Sequence, residues 1–230
     1  MKLDQWLWEV KNKNTIHNFE NNTERKLQMT IKKGIYGLLL ITAFIMSCEP
    51  RNRPGKAYEA EIQEFRQEKN KFFKYNDNSP LPDSVQANFD SLNYFPIVSN
   101  YRIIADFLPL PTRNIMQIPL NNGQSENYLK YGFATFTRDS VTCSVLILKS
   151  TNNDGSLFLP FYDQTNGAET YGGGRYLEPV RISESKIILD FNMAYHPYCV
   201  YADEYICPLP PKENILPIHI KAGEKLPEIP

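Results

Sequence analysis

The stretch YLKYGFATFTRDSVTCSVLIL, residues 128–148, decides the fold. Two runs rich in aromatic and β-branched residues, 128–137 and 140–148, lie back to back with only Arg138 and Asp139 between them, the signature of an antiparallel hairpin. In the second run Val141, Cys143, Val145 and Ile147 stand at every second position, which places the four on one face of a strand. Working outward, similar short runs occupy 101–107, 115–119, 157–162, 187–191 and 215–220, separated by Gly, Pro, Asn and Asp. No helical period intervenes. The expected fold is therefore mainly β with a minor α component, an antiparallel β-sandwich or partly open barrel.

Two short helices are expected ahead of the strands. Tyr58, Ile62, Phe65 and Phe72 recur at helical spacing among charged residues over 57–73, and Leu81, Val85, Phe89 and Leu92 share a face over 82–92. Residues 57–230 then form a single β-rich domain, and 48–56, with Pro50, Pro54 and Gly55 among charges, form a tether.

Residues 29–48, MTIKKGIYGLLLITAFIMSC, resemble a bacterial lipoprotein signal. Lys32 and Lys33 supply its positive start, and residues 35–46 an apolar run of 12, shorter than the about 18 residues that span a bilayer. Ile45-Met46-Ser47-Cys48 is similar to a lipobox, with Met46 a departure from the usual pattern. The resemblance implies that 29–47 is a signal peptide, that Cys48 carries lipid, and that the chain is anchored to a bacterial membrane facing the periplasm or cell exterior. Residues 1–28 are expected to be a polar leader ahead of a start at Met29, the alternative being an unusually long n-region. Loss of residues 1–47 removes seven basic and four acidic residues, leaving 18 basic against 22 acidic, a net charge of −4. Nucleic acid is not an expected partner of such a surface.

Of the remaining thiols, Cys143 falls on the apolar face of its strand and is expected to be a buried small hydrophobe. Cys199 and Cys207 are expected to pair in a disulfide, closing a loop worth about 2.6 kcal/mol in the chain-entropy model. Two unpaired structural thiols, or a zinc site completed by His196, are the alternatives.

The densest polar signal is DQTNGAETYGGGRYL, residues 163–177, followed by LDFNMAYHPYCVYADEYICPLPPKEN, residues 189–214. These resemble the domain of unknown function 1684 family, whose members carry D-x-T-x-G-x-E-T-Y-G-x-G-R-Y-L and then D-F-N-x-A-Y-x-P-x-C-x-Y…C-P-L-P-P-x-E-N. The resemblance extends from about residue 57 to Glu224 and implies kinship without a known activity. Asparagine is usual where this chain has His196, which is expected to be a partly exposed loop residue; His219 should face solvent.

Gly172, Gly173 and Gly174 free the backbone to form a concavity, and Arg175 beside them is placed either to clamp an anionic or sugar-like ligand or to pair internally with Asp163, Glu169 or Asp190. Those three carboxylates are also the candidates for acid and base work, although spacing alone does not set their separation. Tyr195, with Tyr198, Tyr201 and Tyr205, either stacks on a ligand or packs internally. Calcium ligation by Asp163, Asn166 and Glu169 lacks EF-hand spacing. No P-loop, nucleophile elbow or HExxH motif occurs, and no metal or cofactor is favoured. The expected function is that of a binding or scaffold domain with a polar ligand pocket, the alternative a hydrolase of envelope material.

Overall fold

A computed structural model describes residues 54–151 and 156–226; the leader, the signal stretch, Cys48 and residues 49–53 lie outside the described residues. The hairpin that opens the sequence is present. Strands β1 (Arg102–Pro109), β2 (Ile115–Pro119), β3 (Ser125–Arg138) and β4 (Val141–Ser150) lead into β5 (Leu157–Phe161), β6 (Arg175–Leu177), β7 (Val180–Arg181) and β8 (Lys186–Asp190). They form one antiparallel sheet in the order β6-β5-β4-β3-β1-β8-β7, with β2 also on β3, that curls into a half-barrel. The sheet thus takes the partly open form among the architectures expected.

The β3/β4 turn sits one residue later than the sequence suggests. Arg138 still pairs with Val141, and the two loop residues are Asp139 and Ser140, with φ of 49° and 64°. Both occupy the left-handed region, as a type I′ turn demands if it is to match the twist of its strands. Ser140→Gly should therefore stabilise the domain by about 1 kcal/mol, read as a higher urea midpoint.

Strand β3 generates the curl by changing partner. Its first half pairs with β2 (Ile115↔Leu129), its second with β1 (Phe107↔Ala134), and the register against β4 shifts between Lys130 and Gly132. A bulge there increases local twist. Glycine is required at 132 because a Cβ would meet the Phe107 ring at 2.5 Å. Beyond the bulge Ala134 faces Val145 and Phe136 faces Cys143, so the alternation read from 141–147 becomes the inner layer of the core. Tyr128, Leu146, Leu148 and Ile118 form a smaller cluster apart from it.

Two expected elements are absent or shortened. Residues 215–220 keep a two-residue burial rhythm (Leu216, Ile218 and Ile220 buried) but form no strand. Their backbone instead bonds to a loop, through Gln164 N donating to Ile218 O (3.0 Å), and to the side chain of Asp163, which accepts from Ile220 N (3.2 Å). The helix expected over 82–92 shrinks to one turn, α2 (Asp83–Gln86), with Val85 exposed. β6 and β7, three and two residues long, are too short to leave a period.

The first helix, α1 (Pro54–Tyr75), begins inside the stretch expected to be a tether. Its buried face is Ile62, Phe65, Lys69, Phe72 and Phe73. It packs on the 3-10 turns Ser99–Tyr101 and Phe191–Met193 and is pinned by polar contacts, among them Arg66 Nη1 donating to Phe95 O (3.0 Å) and Asn70 Oδ1 accepting from Leu92 N (3.0 Å). No described helix is long and apolar enough to cross a membrane.

Candidate functional site

Residues 163–174 form a self-braced loop before β6. Asp163 Oδ1 accepts from Thr165 N (2.8 Å), the Thr165 and Thr170 hydroxyls lie 2.8 Å apart, and Asn166 Nδ2 donates to Tyr171 O (2.7 Å). Short polar side chains that bond their own backbone favour such loops over strand or helix. Gly174, with φ of 93°, packs so closely under Pro210 that a Cβ would lie 2.6 Å from its ring, and only Gly172 and Gly173 of the glycine run reach solvent.

That loop delivers Arg175 to a core position. Arg175 pairs across the sheet with Phe161, next to the fully buried Leu159/Leu177 pair, and is itself 0% exposed. Its Nη2 donates to Asp163 Oδ2 (2.8 Å) and Ile220 O (2.7 Å), and its Nη1 to the carbonyls of Ala222 and Glu224. The internal ion pair is thus the arrangement found, with Asp163 as partner. In this structure the Arg175 Nη atoms are engaged by Asp163 and by three carbonyls of the C-terminal segment. Tyr195 is likewise 3% exposed, its ring lying 4.6 Å from Lys69 Nζ. Tyr198 and Tyr201 pack edge-on to Phe73, at 6.2 and 5.0 Å between centroids.

The other two carboxylates are spent separately. Asp190 accepts from Tyr58 OH (2.7 Å) and Asn192 N (3.2 Å); burial raises its pKa and that of the Tyr58 hydroxyl. Glu169 pairs with Lys221 (2.9 Å) on the surface. Each of the three carboxylates thus has a different partner.

A second buried pair was not expected from sequence. Lys69 of α1, 0% exposed, contacts Glu224, 1% exposed, and Glu224 Oε2 also accepts from His196 N (2.7 Å) and Tyr201 OH (3.2 Å). Burial, Arg175 and Lys69 together hold the His196 imidazole neutral, its pKa well below the ordinary value. Its Nε2 accepts from Tyr171 N (3.2 Å), so the proton sits on Nδ1, facing Glu224. His196 is therefore buried, not a partly exposed loop residue, because the chain at 194–197 runs under α1 and the C-terminal segment; His219 faces solvent as expected. The signal for Lys69 was legible: a cation four residues after Phe65 and three before Phe72 stands in the apolar stripe.

The neutral imidazole has a measurable consequence. The unfolded chain protonates His196 below about pH 6.5 and the folded chain does not, so stability falls with acidification by up to about 1.4 kcal/mol per pH unit. Asp190, raised by burial, contributes with opposite sign in any variant that retains it. A His196→Asn chain should lack the histidine contribution, and urea midpoints of the two chains compared between pH 5 and 7 isolate it.

The expected disulfide is not formed: Cys143, Cys199 and Cys207 are free thiols. Cys199 and Cys207 are nonetheless neighbours, Cys199 N donating to Cys207 Sγ (3.3 Å) with a hydrogen bond between the two side chains. Among the described residues no group of three or more His, Cys, Asp or Glu side chains is arranged to hold a metal ion, so His196 does not join the thiols as a zinc ligand.

Fold and network together define a mainly antiparallel half-barrel domain sealed by an N-terminal helix and locked by buried ion pairs. The chain belongs to the family described as protein of unknown function (DUF1684), whose model matches residues 87–225. An uncharacterized protein of Haloarcula marismortui, solved by solution NMR, is similar to it at 34% identity, with a TM-score of 0.59, over 74% of this chain and 95% of that one. No curated protein matches. α1 lies ahead of the span matched by the family model, yet its Lys69 neutralises a carboxylate within it.

Proposed function

We propose that the chain is a lipoprotein, anchored through Cys48 to a bacterial membrane, whose β-domain faces the periplasm or cell exterior as a binding or scaffold domain. The lipobox-like end of residues 29–48 carries this reading. Two or three acyl chains, at about 0.8 kcal/mol per buried methylene, suffice for such an anchor. Scaffolding is favoured over hydrolysis of envelope material because Asp163, Glu169 and Asp190 are each tied to a different partner. A polar ligand, anionic or sugar-like, would meet Tyr171, Gly172 and Gly173, the part of the glycine motif that reaches solvent.

Expression of the full chain in a bacterial host with labelled palmitate tests the anchor. Label should enter the chain and vanish in Cys48→Ser. Processing removes Trp6 and Trp8, so the membrane-bound product should fluoresce as tyrosine alone; a tryptophan spectrum or a label indifferent to Cys48 overturns the reading. A thermal-shift panel of anions and sugars on the same product tests binding at the rim.

A further inference from the structure

The two neighbouring thiols differ in ways a purely structural pair does not require. Cys207 is 6% exposed and fixed by reciprocal bonds with the loop after β2: its N donates to Asn121 Oδ1 (3.0 Å) and its carbonyl accepts from Asn121 N (3.0 Å). Cys199 lies on the half-buried 3-10 turn Tyr198–Val200, with Tyr171 and Cys207 both within hydrogen-bond reach of its sulfur. Tyr171 comes from the partly exposed rim of the braced loop, and its hydroxyl is near enough to Cys199 to favour the thiolate. Cys143, in contrast, sits on the inner face of β4 at 2% exposure.

We propose that Cys199 and Cys207 are a reversible thiol–disulfide pair, Cys199 the attacking thiol and Cys207 the resolving one, whose substrate is a low-molecular-weight disulfide. Two donors directed at Cys199 stabilise its thiolate, and nucleophilic thiols act as thiolates. Both donors lower the Cys199 pKa, whereas the bond to Cys199 and burial raise that of Cys207, leaving Cys207 protonated and able to donate.

The exchange balances. Cys199 thiolate attacks one sulfur of the disulfide, whose S–S bond breaks and releases a thiolate that takes up the Cys207 proton. Cys207 thiolate then attacks the Cys199 sulfur of the mixed disulfide and expels the second thiolate, which takes from solvent the proton that Cys199 gave up on ionising. The protein loses two electrons and two protons, and the disulfide becomes two thiols. The new bond ties the 3-10 turn to the segment that Asn121 holds and leaves on residue 199 a neutral sulfur, a weaker acceptor for Tyr171 than the thiolate. The proposal rests on the thiol geometry and does not depend on the lipid anchor.

The test uses the reduced full chain. Limiting iodoacetamide at neutral pH, followed by peptide mass analysis, should label Cys199 about tenfold faster than Cys207 or Cys143, because the more exposed and more readily ionised thiol reacts first. Oxidised glutathione should then link 199 to 207, seen as fragments that stay joined after cleavage at Glu204, and Cys207→Ser should stop at glutathione on residue 199. In Tyr171→Phe the pH midpoint for labelling Cys199 should rise while the circular dichroism spectrum is unchanged. Faster labelling of Cys207 or Cys143, or no joined fragment with oxidised glutathione, overturns the proposal; should Cys207→Ser fail to fold, those two wild-type measurements decide.

Discussion

An Arg175→Ala chain is expected to lose about 3–5 kcal/mol of stability, the cost of breaking a buried ion pair by removing one partner. The side chain is 0% exposed and lies between the rings of Phe95 and Phe161, at 5.8 and 5.4 Å from their centroids. Its loss leaves the Asp163 carboxylate without its cation and the carbonyls of Ile220, Ala222 and Glu224 without their donor. Domains of this kind are stable by about 5–15 kcal/mol in total, so a fifth or more disappears. Arg175→Lys should recover only part, because a single ammonium cannot address four acceptors held in the plane of a guanidinium. Urea unfolding followed by circular dichroism measures both. An Arg175→Ala midpoint equal to wild type would mean that the arginine serves something other than the fold.

Lys69→Met should cost a similar about 3–5 kcal/mol, for a different reason. Methionine keeps the contacts of the stem with Phe73 and Tyr195, but Glu224 is left buried with two neutral donors, His196 N and Tyr201 OH, and no cation. Removing both charges, in Lys69→Met with Glu224→Gln, should cost less than the sum of the single changes. Glu224→Gln alone gives a pH signature. Burial already lowers the Lys69 pKa, and without Glu224 nothing opposes that burial as strongly. The unfolded chain then holds a proton the folded chain has lost, so the variant gains stability as pH rises toward the ordinary lysine range. A Glu224→Gln chain that unfolds at the same urea concentration from pH 7 to 10 would contradict this account.

These two pairs explain what the most specific motif of the chain does. Two cations, Arg175 and Lys69, and two carboxylates, Asp163 and Glu224, balance to zero, with a neutral histidine between them. Each charge comes from a different element: α1, the braced loop, β6 and the C-terminal segment. Charges far apart in sequence meet only when all four elements are in place. The network therefore holds the extended C-terminal segment, which has no ladder of its own, against the core that its Leu216, Ile218, Ile220 and Ala222 help to form.

The sheet was legible because its signal is local. Strands β1 to β5 and β8 appear where alternating or β-branched runs stand between turn residues, and Cys143 is buried as its strand neighbours imply. The turn shifted by one residue because the twist of paired strands, not the polarity of Arg138, selects two left-handed residues. Residues 215–220 have the period of a strand without being one: burial repeats every two residues in any extended segment, whereas a ladder needs a neighbouring strand.

Sequence alone determined the class of fold, the family kinship and the lipobox-like signature, all carried by patterns within a few tens of residues. Only the tertiary structure decided which of Asp163, Glu169 and Asp190 neutralises Arg175, that Lys69 answers Glu224, and that Tyr171 reaches Cys199. The physical reason is that ion pairs and hydrogen bonds depend on distance and burial in space. A motif states which charges exist, while the fold states which of them lose their water and must find each other.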